Sequence, residues 1–569
     1  MMHYHVSALQ AASQTFDVEL TFVAPVDRPV LRLPVWTPGS YMVREFSRFL
    51  GEVHATDRFA NAVPVQALDK ASWVVDAPAG TELRVFWNAW CNELTVRTPH
   101  ADSTHAFFTG TNLLLYVDQL LSSACTMAIS APTGWEVFCA LPFDGGRFTA
   151  GCWDTLADAP VEIGPHPHDS FEVDGIPHRV IYWGAQPMRL ERTAICEGLQ
   201  RCVVQNAQLF GGLPYSNYDF ILHITPDMRG GLEHLNATVL ACPWRFFESE
   251  KGFAEFLSLA MHEHFHVWNI KRIKPSALVP FQYQTENYTT ALWVAEGFTS
   301  YYDDYNCLRA GITTLVPWLE LMSDAATRLG RLPGRTVQSL TRSSFDAWIR
   351  LYRPDANSGN RTVSYYLKGG LVAWLLDLTI RERSGGSSSL DDVMLALWRE
   401  VTPAYPGFDE ARMGEFIRAH TGVDVTDALN SWVYGTDELP WQTVLDAHGF
   451  VCSMADDADS PFGWLLDSGG GIRNLIKDGP AMRAGLAPGD RLVAVDSRAF
   501  ELLPTSVLER RLVAGSASME VHYFRRGQLR STVLEGPAHV TTTITFSLRE
   551  DATEAQLRLR HLWLGLGEA

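Results

Sequence analysis

The sequence has neither the excess of basic residues typical of nucleic-acid-binding proteins nor the long apolar run typical of membrane-spanning proteins. It has no excess of basic residues, because 46 Lys and Arg stand against 65 Asp and Glu, a formal net charge of −19. Nucleic-acid-binding proteins usually present a basic surface to the phosphates, so this balance argues against such a partner. The sequence also has no uncharged apolar run of about 18 residues, the length that a transmembrane helix needs. We therefore expect neither a nucleic acid nor a membrane as a partner.

The cysteines show no pattern that would indicate disulfide bonds. There are nine of them, scattered along 569 residues and without a CxxC pair. An odd, unpatterned set in a long chain is typical of reduced thiols in the core. The N-terminal sequence MMHYHVSALQ has no basic segment followed by an apolar run, so no secretory signal is recognisable. Unless a signal was removed ahead of the first residue, these absences predict a soluble cytoplasmic protein.

The hydrophobic pattern changes twice along the chain, which is too long for one core. Up to about residue 165, apolar and polar residues alternate, as in FDVELTFVAP (16–25) and TELRVFWNAW (81–90), and this alternation indicates half-buried strands. The middle of the chain shows helical periodicity, as in GFAEFLSLAMHEHFHVWNI (252–270). After about residue 445 the sequence becomes glycine-rich with short elements, and DATEAQLRLRHLWLG (551–565) predicts a final amphipathic helix. The fold class is therefore multidomain α+β.

An HExxH motif, formed by His262, Glu263 and His266, predicts a metal site. In a helix, residues four apart lie on the same face, so both histidines can bind one cation through a ring nitrogen. Glu263 can then take a proton from a water bound to that cation, as zinc hydrolases require. The apolar run before the motif predicts a buried helix, where histidines without a ligand would be costly to desolvate. We expect Zn²⁺ here, with His264 directed into the core.

The segment WVAEGFTSYYDD (293–304) offers a third ligand. Glu296 interrupts an otherwise apolar helical stretch, where a carboxylate is unfavourable unless it meets a cation. A catalytic zinc needs a third protein ligand and an open position for water, so Glu296 is the predicted third ligand. Asp303 lies seven residues further along the same face. It either orients a ligand histidine or belongs to a solvated helix end.

These motifs together resemble those of known metallopeptidases. HExxH followed by WxxEGF is similar to the gluzincins, which include thermolysin and the aminopeptidase N group. GGLEH (230–234) resembles their GxMEN segment, and YYLKGG (365–370) resembles their Tyr-x-Lys-Gly segment. The order of LPVWTPGSYMVREFSR (33–48), GGLEH, HEHFHVWNIKRIKP (262–275) and a glycine-turn module resembles the glycyl aminopeptidase family, which has a PDZ domain behind its catalytic domain.

The resemblance implies a domain order. It places an N-terminal all-β domain at 1–168, a thermolysin-like, helix-rich zinc peptidase domain at 169–443, a PDZ domain at 444–540, and a tail with a short helix at 541–569. In the PDZ segment, DGPAMRAGLAPGDRLVAVD (478–496) resembles the core of such domains, and PFGWLL (461–466) is the best candidate for a carboxylate-binding loop. A peptide ligand at this domain and a purely structural role both stay open.

The resemblance also implies a role for each motif residue. His262, His266 and Glu296 would be the zinc ligands and Glu263 the general base. Glu233 would pair with the free α-ammonium of the substrate, beside Gly230 and Gly231 on an edge strand, and a blocked amine would leave it unpaired. Tyr366 would donate its hydroxyl to the oxyanion, or Tyr365 if the register differs by one. His234 stands where the aminopeptidase N pattern has asparagine.

The implied function is a zinc aminopeptidase that acts on peptides with a free, small N-terminal residue such as Gly or Ala. Two alternatives use the same fold: an endopeptidase whose substrates are delivered by the PDZ domain, and an inactive peptide-binding protein. The basic residues Lys271, Arg272 and Lys274 after the motif are expected to form a solvated turn, with attraction of a peptide carboxylate as the alternative. The sequence makes no prediction about an oligomer.

Overall fold

The fold is described from a computed structural model, which covers residues 1–184, 190–457, 462–502, 518–536 and 539–566. The chain divides into two compact units. The first comprises Met1–Thr289, Tyr302–Thr313 and Met394–Asp409, and the second comprises Thr290–Tyr301, Thr314–Val393 and Glu410–Ala569. Among the described residues, we find no helix that combines the length and the apolar character needed to cross a bilayer.

The N-terminal part of the first unit is built on an eight-stranded sheet. The predicted alternating segments form its antiparallel strands Thr15–Val23 and Glu82–Trp90, paired from Thr15 opposite Trp90 to Val23 opposite Glu82. Their alternate apolar residues are buried, because side chains in a strand point to opposite faces in turn. In spatial order the strands are Phe143–Asp144, Arg147–Ala150, Cys125–Ser130, Met2–Ser7, Thr15–Val23, Glu82–Trp90, His54–Asp57 and Ala62–Val63.

Two smaller sheets complete this β-rich region. A five-stranded sheet contains Glu136–Phe138, Pro160–Gly164, Ala106–Thr109, Thr98–Ala101 and Asn92–Thr95, and a four-stranded sheet contains Tyr116–Val117, Val30–Arg32, Ser72–Val75 and Val65–Asp69. Short helices at Gly110–Leu113 and Trp153–Asp158 lie between the strands in sequence. The apolar residues of these elements form one continuous core, which includes Phe16, Trp87, Phe108, Trp153 and Val161.

A second five-stranded sheet of the first unit carries the candidate substrate strand. Its order is His168–Val173, Ile176–Trp183, Tyr218–Thr225, Ala237–Pro243 and Gly230–Glu233. The three inner strands are parallel, and all residues of Tyr218–Thr225 are buried, as expected for a strand covered on both faces. Gly230–Glu233 pairs antiparallel with Ala237–Pro243 and forms the edge of the sheet. The long helices of this region are Arg192–Phe210 and Glu250–Phe265.

The second unit is mainly helical. The segment predicted as helical around Glu296 forms a π-helix over Trp293–Phe298, followed by the helix Thr299–Arg309, whose residues from Tyr302 onward belong to the first unit. A long helix of this unit spans Leu367–Arg383. The other helices are Leu315–Gly330, Leu340–Phe345, Ser358–Arg361, Leu390–Glu400 (from Met394 in the first unit), Met413–Thr421, Thr426–Leu429, the π-helix Asn430–Tyr434, and Trp441–Asp446.

The C-terminal part of the second unit contains a small sheet with a separate core. The strands Arg498–Ala499, Arg491–Val495, Met519–Arg525 and Gln528–Leu534 form this sheet, with Trp464–Leu466 and Ile472–Leu475 as a hairpin and Pro480–Arg483 as a short helix. Pro461, the first residue of the candidate carboxylate-binding loop, lies outside the described residues. In the tail, Thr541–Leu548 pairs with Phe450–Asp457, and the predicted helix spans Glu554–Trp563 with Thr553 in a capping box.

Candidate functional site

The HExxH motif lies in the last turn of the helix Glu250–Phe265, with His266 as the residue that follows it. The helix begins at Ser249, whose hydroxyl accepts a hydrogen bond from the backbone N–H of Gly252 at 3.0 Å. Because His262 and His266 are one turn apart, their rings lie on the same side, with centroids 4.6 Å apart. The spacing thus produces the paired histidines that a single metal ion requires.

Both histidines are oriented through Nδ1. The Nδ1 of His262 bonds to Oδ2 of Asp303 at 2.7 Å, and the Nδ1 of His266 bonds to the carbonyl oxygen of Asn269 at 2.6 Å. An imidazole that donates from Nδ1 carries its lone pair on Nε2, which is the atom that would bind a metal. Histidine ligands of metals are commonly held by a carboxylate or a backbone carbonyl in this way. The donor set therefore fits zinc.

Asp303 is thus placed beside His262. Burial raises the pKa of the Asp303 carboxyl, and its hydrogen bond with His262 opposes that rise. Its neighbour Asp304 instead accepts a hydrogen bond from the Ser258 hydroxyl at 2.9 Å. Only one of these two adjacent carboxylates therefore contacts a motif histidine.

A pair of carboxylates lies next to His266. Glu233, Glu263 and His266 each place one ligand atom within 4.8 Å of the others, and all three are buried. Gly231 allows this approach, because a Cβ on it would lie 2.0 Å from Oε1 of Glu263. The edge strand therefore passes directly against the predicted general base. Two buried carboxylates this close favour the binding of a cation.

Glu233, the other carboxylate of this pair, is almost completely buried. Only 4% of its surface is exposed, and its Oε1 has no hydrogen-bond partner among the residues that the structure describes. A buried carboxylate oxygen is costly unless a donor meets it. Gly39 of the β-rich region lies close to it, because a Cβ on Gly39 would be 2.4 Å from Oε1. The backbone at Gly39 thus covers one side of the carboxylate.

The β-rich region also fixes the edge strand. The guanidinium of Arg97 donates to the carbonyl oxygen of Gly231 at 3.1 Å. The same guanidinium would lie 3.9 Å from a Cβ on Gly230. Neither Gly39 nor Arg97 was predicted as a site residue. The turn sequence Thr-Pro-Gly around Gly39 indicates a tight turn, but sequence offers no signal for its contact with Glu233.

The middle histidine of the motif is part of the core, as expected. The Nδ1 of His264 bonds to Nδ2 of Asn206 at 3.1 Å, and its Nε2 bonds to the hydroxyl of Tyr215 at 2.7 Å. Burial lowers the pKa of His264 well below its usual range, so the ring is neutral. Both ring nitrogens are therefore used within the protein.

The expectation of a solvated basic turn after the motif is wrong. Lys271 is buried and its ammonium bonds to Oδ1 of Asp158 at 2.5 Å. Burial alone would raise the pKa of Asp158, but the Lys271 charge and His234, 3.5 Å away, hold it below the usual range. The Arg272 guanidinium donates to the carbonyl oxygens of Leu235, Val267 and Pro214. These cations therefore serve the packing around the edge strand, because their charges and donors are already engaged there.

The remaining predicted residues lie in the second unit. Glu296 is buried within the π-helix Trp293–Phe298, and Tyr366 immediately precedes the helix Leu367–Arg383. Gly297 and Gly369 let these two elements pack backbone to backbone, because a Cβ on Gly297 would lie 2.7 Å from the Cα of Gly369. Burial raises the pKa of the Tyr366 hydroxyl well above its usual range, and the charge of Glu296 adds to the rise. Tyr366 is therefore a neutral hydrogen-bond donor.

The two neighbouring tyrosines differ in exposure. Tyr365 is fully buried, whereas Tyr366 is partly exposed, and their rings stack with centroids 4.9 Å apart. The hydroxyl of Tyr366 lies 3.4 Å from that of Tyr352. Tyr366 is therefore the more accessible of the two side chains.

Comparison with family models identifies three parts of the chain. Residues 3–165 match the peptidase M61 N-terminal domain, residues 255–372 match M61 glycyl aminopeptidase, and residues 471–521 match a PDZ domain. The first match covers the β-rich region, the second contains the HExxH helix and Tyr366, and the third lies in the small C-terminal sheet. No curated protein matches the chain.

Solved structures agree with these matches. An aminopeptidase N family protein from Idiomarina loihiensis is 29% identical, with a TM-score of 0.91, and the alignment covers 99% of this chain and 100% of that one. An M1 zinc metallopeptidase from Deinococcus radiodurans, solved with a Tyr-Ser-Ala substrate, is 15% identical, with a TM-score of 0.50 over 77% of this chain and 94% of that one. The second similarity concerns the fold alone.

The fold, the motif histidines and these matches define a zinc metallopeptidase. More narrowly, the chain belongs to the M61 glycyl aminopeptidase family, with the family's N-terminal β domain and a C-terminal PDZ domain. The predicted fold class and the resemblance are confirmed. The roles of the individual site residues stay predictions.

Proposed function

We propose that the protein is a zinc aminopeptidase that hydrolyses the first peptide bond of peptides with a small N-terminal residue, Gly or Ala. Family membership supports an aminopeptidase. The observation that carries the finer proposal is the enclosed carboxylate of Glu233, which lies within 4.8 Å of Glu263 and His266 and has an oxygen without a partner among the described residues. The preference for small residues rests on the family resemblance.

Each residue has a defined task in this proposal. His262, His266 and Glu296 would hold the zinc, which when bound supplies a Lewis acid for the attacking water and the scissile carbonyl. Glu263 takes the proton of the attacking water and returns it to the leaving amine. The Tyr366 hydroxyl donates a hydrogen bond to the oxyanion that develops on the carbonyl oxygen. A neutral tyrosine is required for that donation, and its raised pKa supplies one.

Glu233 determines where the chain is cut. Its carboxylate would bind the substrate's α-ammonium, and the edge strand Gly230–Glu233 would run along the first residues of the peptide. In this proposal, an ammonium held at Glu233 brings the first peptide bond of the substrate to Glu263, because ligand atoms of the two carboxylates lie within 4.8 Å of each other. A substrate whose amine is blocked would leave the buried charge of Glu233 unpaired, so the site would discriminate against it.

The test compares Gly-p-nitroanilide with its N-acetyl form, with and without a chelator. We expect hydrolysis of the free amine alone, lost on chelation. Glu263→Gln should keep its zinc and lose nearly all turnover, whereas Glu255→Gln, on the same helix but in a partly exposed pair with Arg245, should remain active. Undiminished activity of Glu263→Gln would contradict the mechanism.

Two results would favour the alternative functions. Equal cleavage of free and acetylated peptides would exclude an α-amine anchor and favour an endopeptidase supplied by the PDZ domain. Zinc binding without hydrolysis of any Gly or Ala substrate would favour an inactive peptide-binding protein. Glu233→Gln separates the first case from the proposal, because it should lower activity on free amines and leave an endopeptidase unaffected.

A further inference from the structure

Five buried side chains form a second polar centre, which we call the Glu162 cluster: His100, His105, Glu162, His166 and His223. The carboxylate of Glu162 contacts three imidazoles. Its Oε1 is 2.9 Å from Nδ1 of His105 and 2.9 Å from Nε2 of His166, and its Oε2 is 2.8 Å from Nε2 of His223. The Nε2 of His105 is 2.7 Å from Nδ1 of His100. These side chains play no part in the proposed peptidase mechanism.

The cluster places a carboxylate where water does not reach it. Glu162, His105 and His223 have no exposed surface, and His166 is 8% exposed. Burial of an ionised carboxylate is costly unless a positive charge compensates it. Three imidazole nitrogens, those of His105, His166 and His223, nevertheless lie within 2.9 Å of its two oxygens. A carboxylate that keeps its charge in such a position requires a positive charge beside it.

His223 does not supply that cation. Its Nε2 contacts Glu162, while its Nδ1 is buried and has no hydrogen-bond partner among the described residues. A second proton on Nδ1 would leave a buried donor unsatisfied. The compensating charge must lie on the other side of the carboxylate, between His105 and His166.

The geometry on that side is suited to a metal ion. His105, Glu162 and His166 each place a ligand atom within 4.8 Å of the other two. Gly164 makes the arrangement possible, since a Cβ on it would lie 2.2 Å from Nε2 of His166, so the ring can fold back over the strand Pro160–Gly164 only at a glycine. The ring of His105 is held in place by stacking on Trp183, with centroids 3.7 Å apart.

We propose that His105, Glu162 and His166 bind a second divalent metal ion, of the class of Zn²⁺, separate from the HExxH motif. His105 would bind through Nδ1 and His166 through Nε2, the imidazole and carboxylate ligands that zinc accepts. His100 would hold the outer nitrogen of His105, and His223 the second oxygen of Glu162, as the outer partners of metal ligands usually do. The burial of the ligands gives the ion a structural role.

The position of the cluster indicates what the ion would stabilise. Glu162 lies on the strand Pro160–Gly164 of the N-terminal five-stranded sheet, and His223 lies on Tyr218–Thr225 of the sheet that carries Glu233. His223 is opposite Ala241, which in turn is opposite Gly230 on the edge strand. An ion at Glu162 would therefore join the two sheets two strands away from the substrate strand.

The experiment measures zinc by mass spectrometry in the full chain after dialysis. The variant His262→Ala/His266→Ala removes the motif ligands, so any zinc it retains reports the Glu162 cluster alone. We expect about one equivalent in this variant and a loss of it when Glu162→Gln and His166→Ala are added. His168→Ala, a partly exposed histidine two residues beyond His166, is the matched control and should retain the equivalent.

A milder variant tests the site without removing any of the buried ligands, whose loss could itself disturb the fold. Gly164→Ala retains every ligand but would push a methyl group against His166, so we expect zinc affinity to fall at least about tenfold. Gly151→Ala, where a Cβ meets open space, is its control. Substitution with Co²⁺ in the His262→Ala/His266→Ala variant should give the visible spectrum of nitrogen and oxygen ligation.

Two outcomes distinguish this inference from the proposed function. Zinc that persists without His262 and His266 supports the second site, whatever the activity of the wild type. The second site would be overturned if the wild-type chain held about one equivalent of zinc and the variant without the motif histidines held none, even with added Zn²⁺. A protonated histidine would then compensate Glu162.

Discussion

Gly39 of the β-rich region lies against the carboxylate of Glu233, so closely that a Cβ on Gly39 would be 2.4 Å from Oε1 and 2.6 Å from Oε2. The N-terminal domain therefore forms a wall of the pocket proposed to hold the substrate's α-ammonium. Gly39 also has a φ of +86°, a backbone conformation that favours glycine. Within the proposed function, this contact would give the N-terminal domain a direct part in substrate binding.

Gly39→Ala should therefore weaken substrate binding more than it weakens the fold. The added methyl group would displace the Glu233 carboxylate, so we expect KM for Gly-p-nitroanilide to rise about tenfold or more, the loss expected when a charged pair is misplaced. Steady-state kinetics of the variant and the wild type measure this change in KM.

The control is Gly80→Ala in the same region. Gly80 has a φ of +82°, but a Cβ there meets nothing within 4 Å. This variant carries the same backbone strain without the contact. Equal KM values for the two variants would show that strain alone causes the effect and would remove Gly39 from the pocket.

Asp303→Asn should lower the affinity for zinc. Asp303 bonds to Nδ1 of His262 at 2.7 Å, and loss of such a partner typically weakens metal binding about 10-fold to 100-fold. Competition with a chromophoric chelator measures the affinity. Asp304→Asn is the matched control, because Asp304 bonds to Ser258 instead. An unchanged zinc affinity in Asp303→Asn would leave Asp303 with a structural role only.

The sequence could identify those site residues that lie close together along the chain, within one element of secondary structure. The helical period places His262 and His266 on one face, and the apolar run before them predicts their burial. The periodicity around Glu296 predicts a helix but does not distinguish an α-helix from the π-helix that the structure has there. The close packing of Gly297 on Gly369, which is a contact between distant segments, is likewise not visible in the sequence.

Contacts between distant segments could not be predicted in this way. The Gly39–Glu233 and Gly231–Glu263 contacts depend on how strands approach one another, and no residue type at those positions signals the partner. The prediction that Lys271 is solvated failed for the same reason, since Asp158, the partner that it meets when buried, comes from the β-rich region. Glu162 and His166, four residues apart, offered a weak local signal of the second centre, but His105 and His223 join it only through tertiary structure.

The fold should lose stability as the pH falls below about 6.5, the ordinary pKa of histidine. Burial lowers the pKa of His178 to about 4 and that of His264 well below its usual range, and both rings bond to the Tyr215 hydroxyl. A folded-state pKa below the unfolded value means that the unfolded chain binds the proton first. The stability is present above pH 6.5 and is lost toward pH 4, by up to about 1.4 kcal/mol per pH unit for each ring.

His178→Gln tests this dependence, because glutamine retains a hydrogen bond to Tyr215 but takes up no proton. We expect its Tm to fall less steeply between pH 6.5 and 4 than the Tm of the wild type, measured by scanning calorimetry with chelator present in both samples. His54→Gln, at an exposed histidine, should follow the wild type. A parallel fall in all three proteins would assign the acid sensitivity to other groups.

Tyr366→Phe should lower kcat and leave KM nearly unchanged. The hydroxyl is proposed to contact only the developing oxyanion, and loss of one such donor typically costs about 10²-fold to 10³-fold in kcat. Tyr365→Phe is the matched control, since Tyr365 stacks on Tyr366 but is fully buried, and we expect its kcat to stay near that of the wild type. A fall of kcat in Tyr365→Phe and not in Tyr366→Phe would make Tyr365 the residue that contacts the oxyanion. A raised KM with an unchanged kcat in Tyr366→Phe would make Tyr366 a substrate-binding residue only.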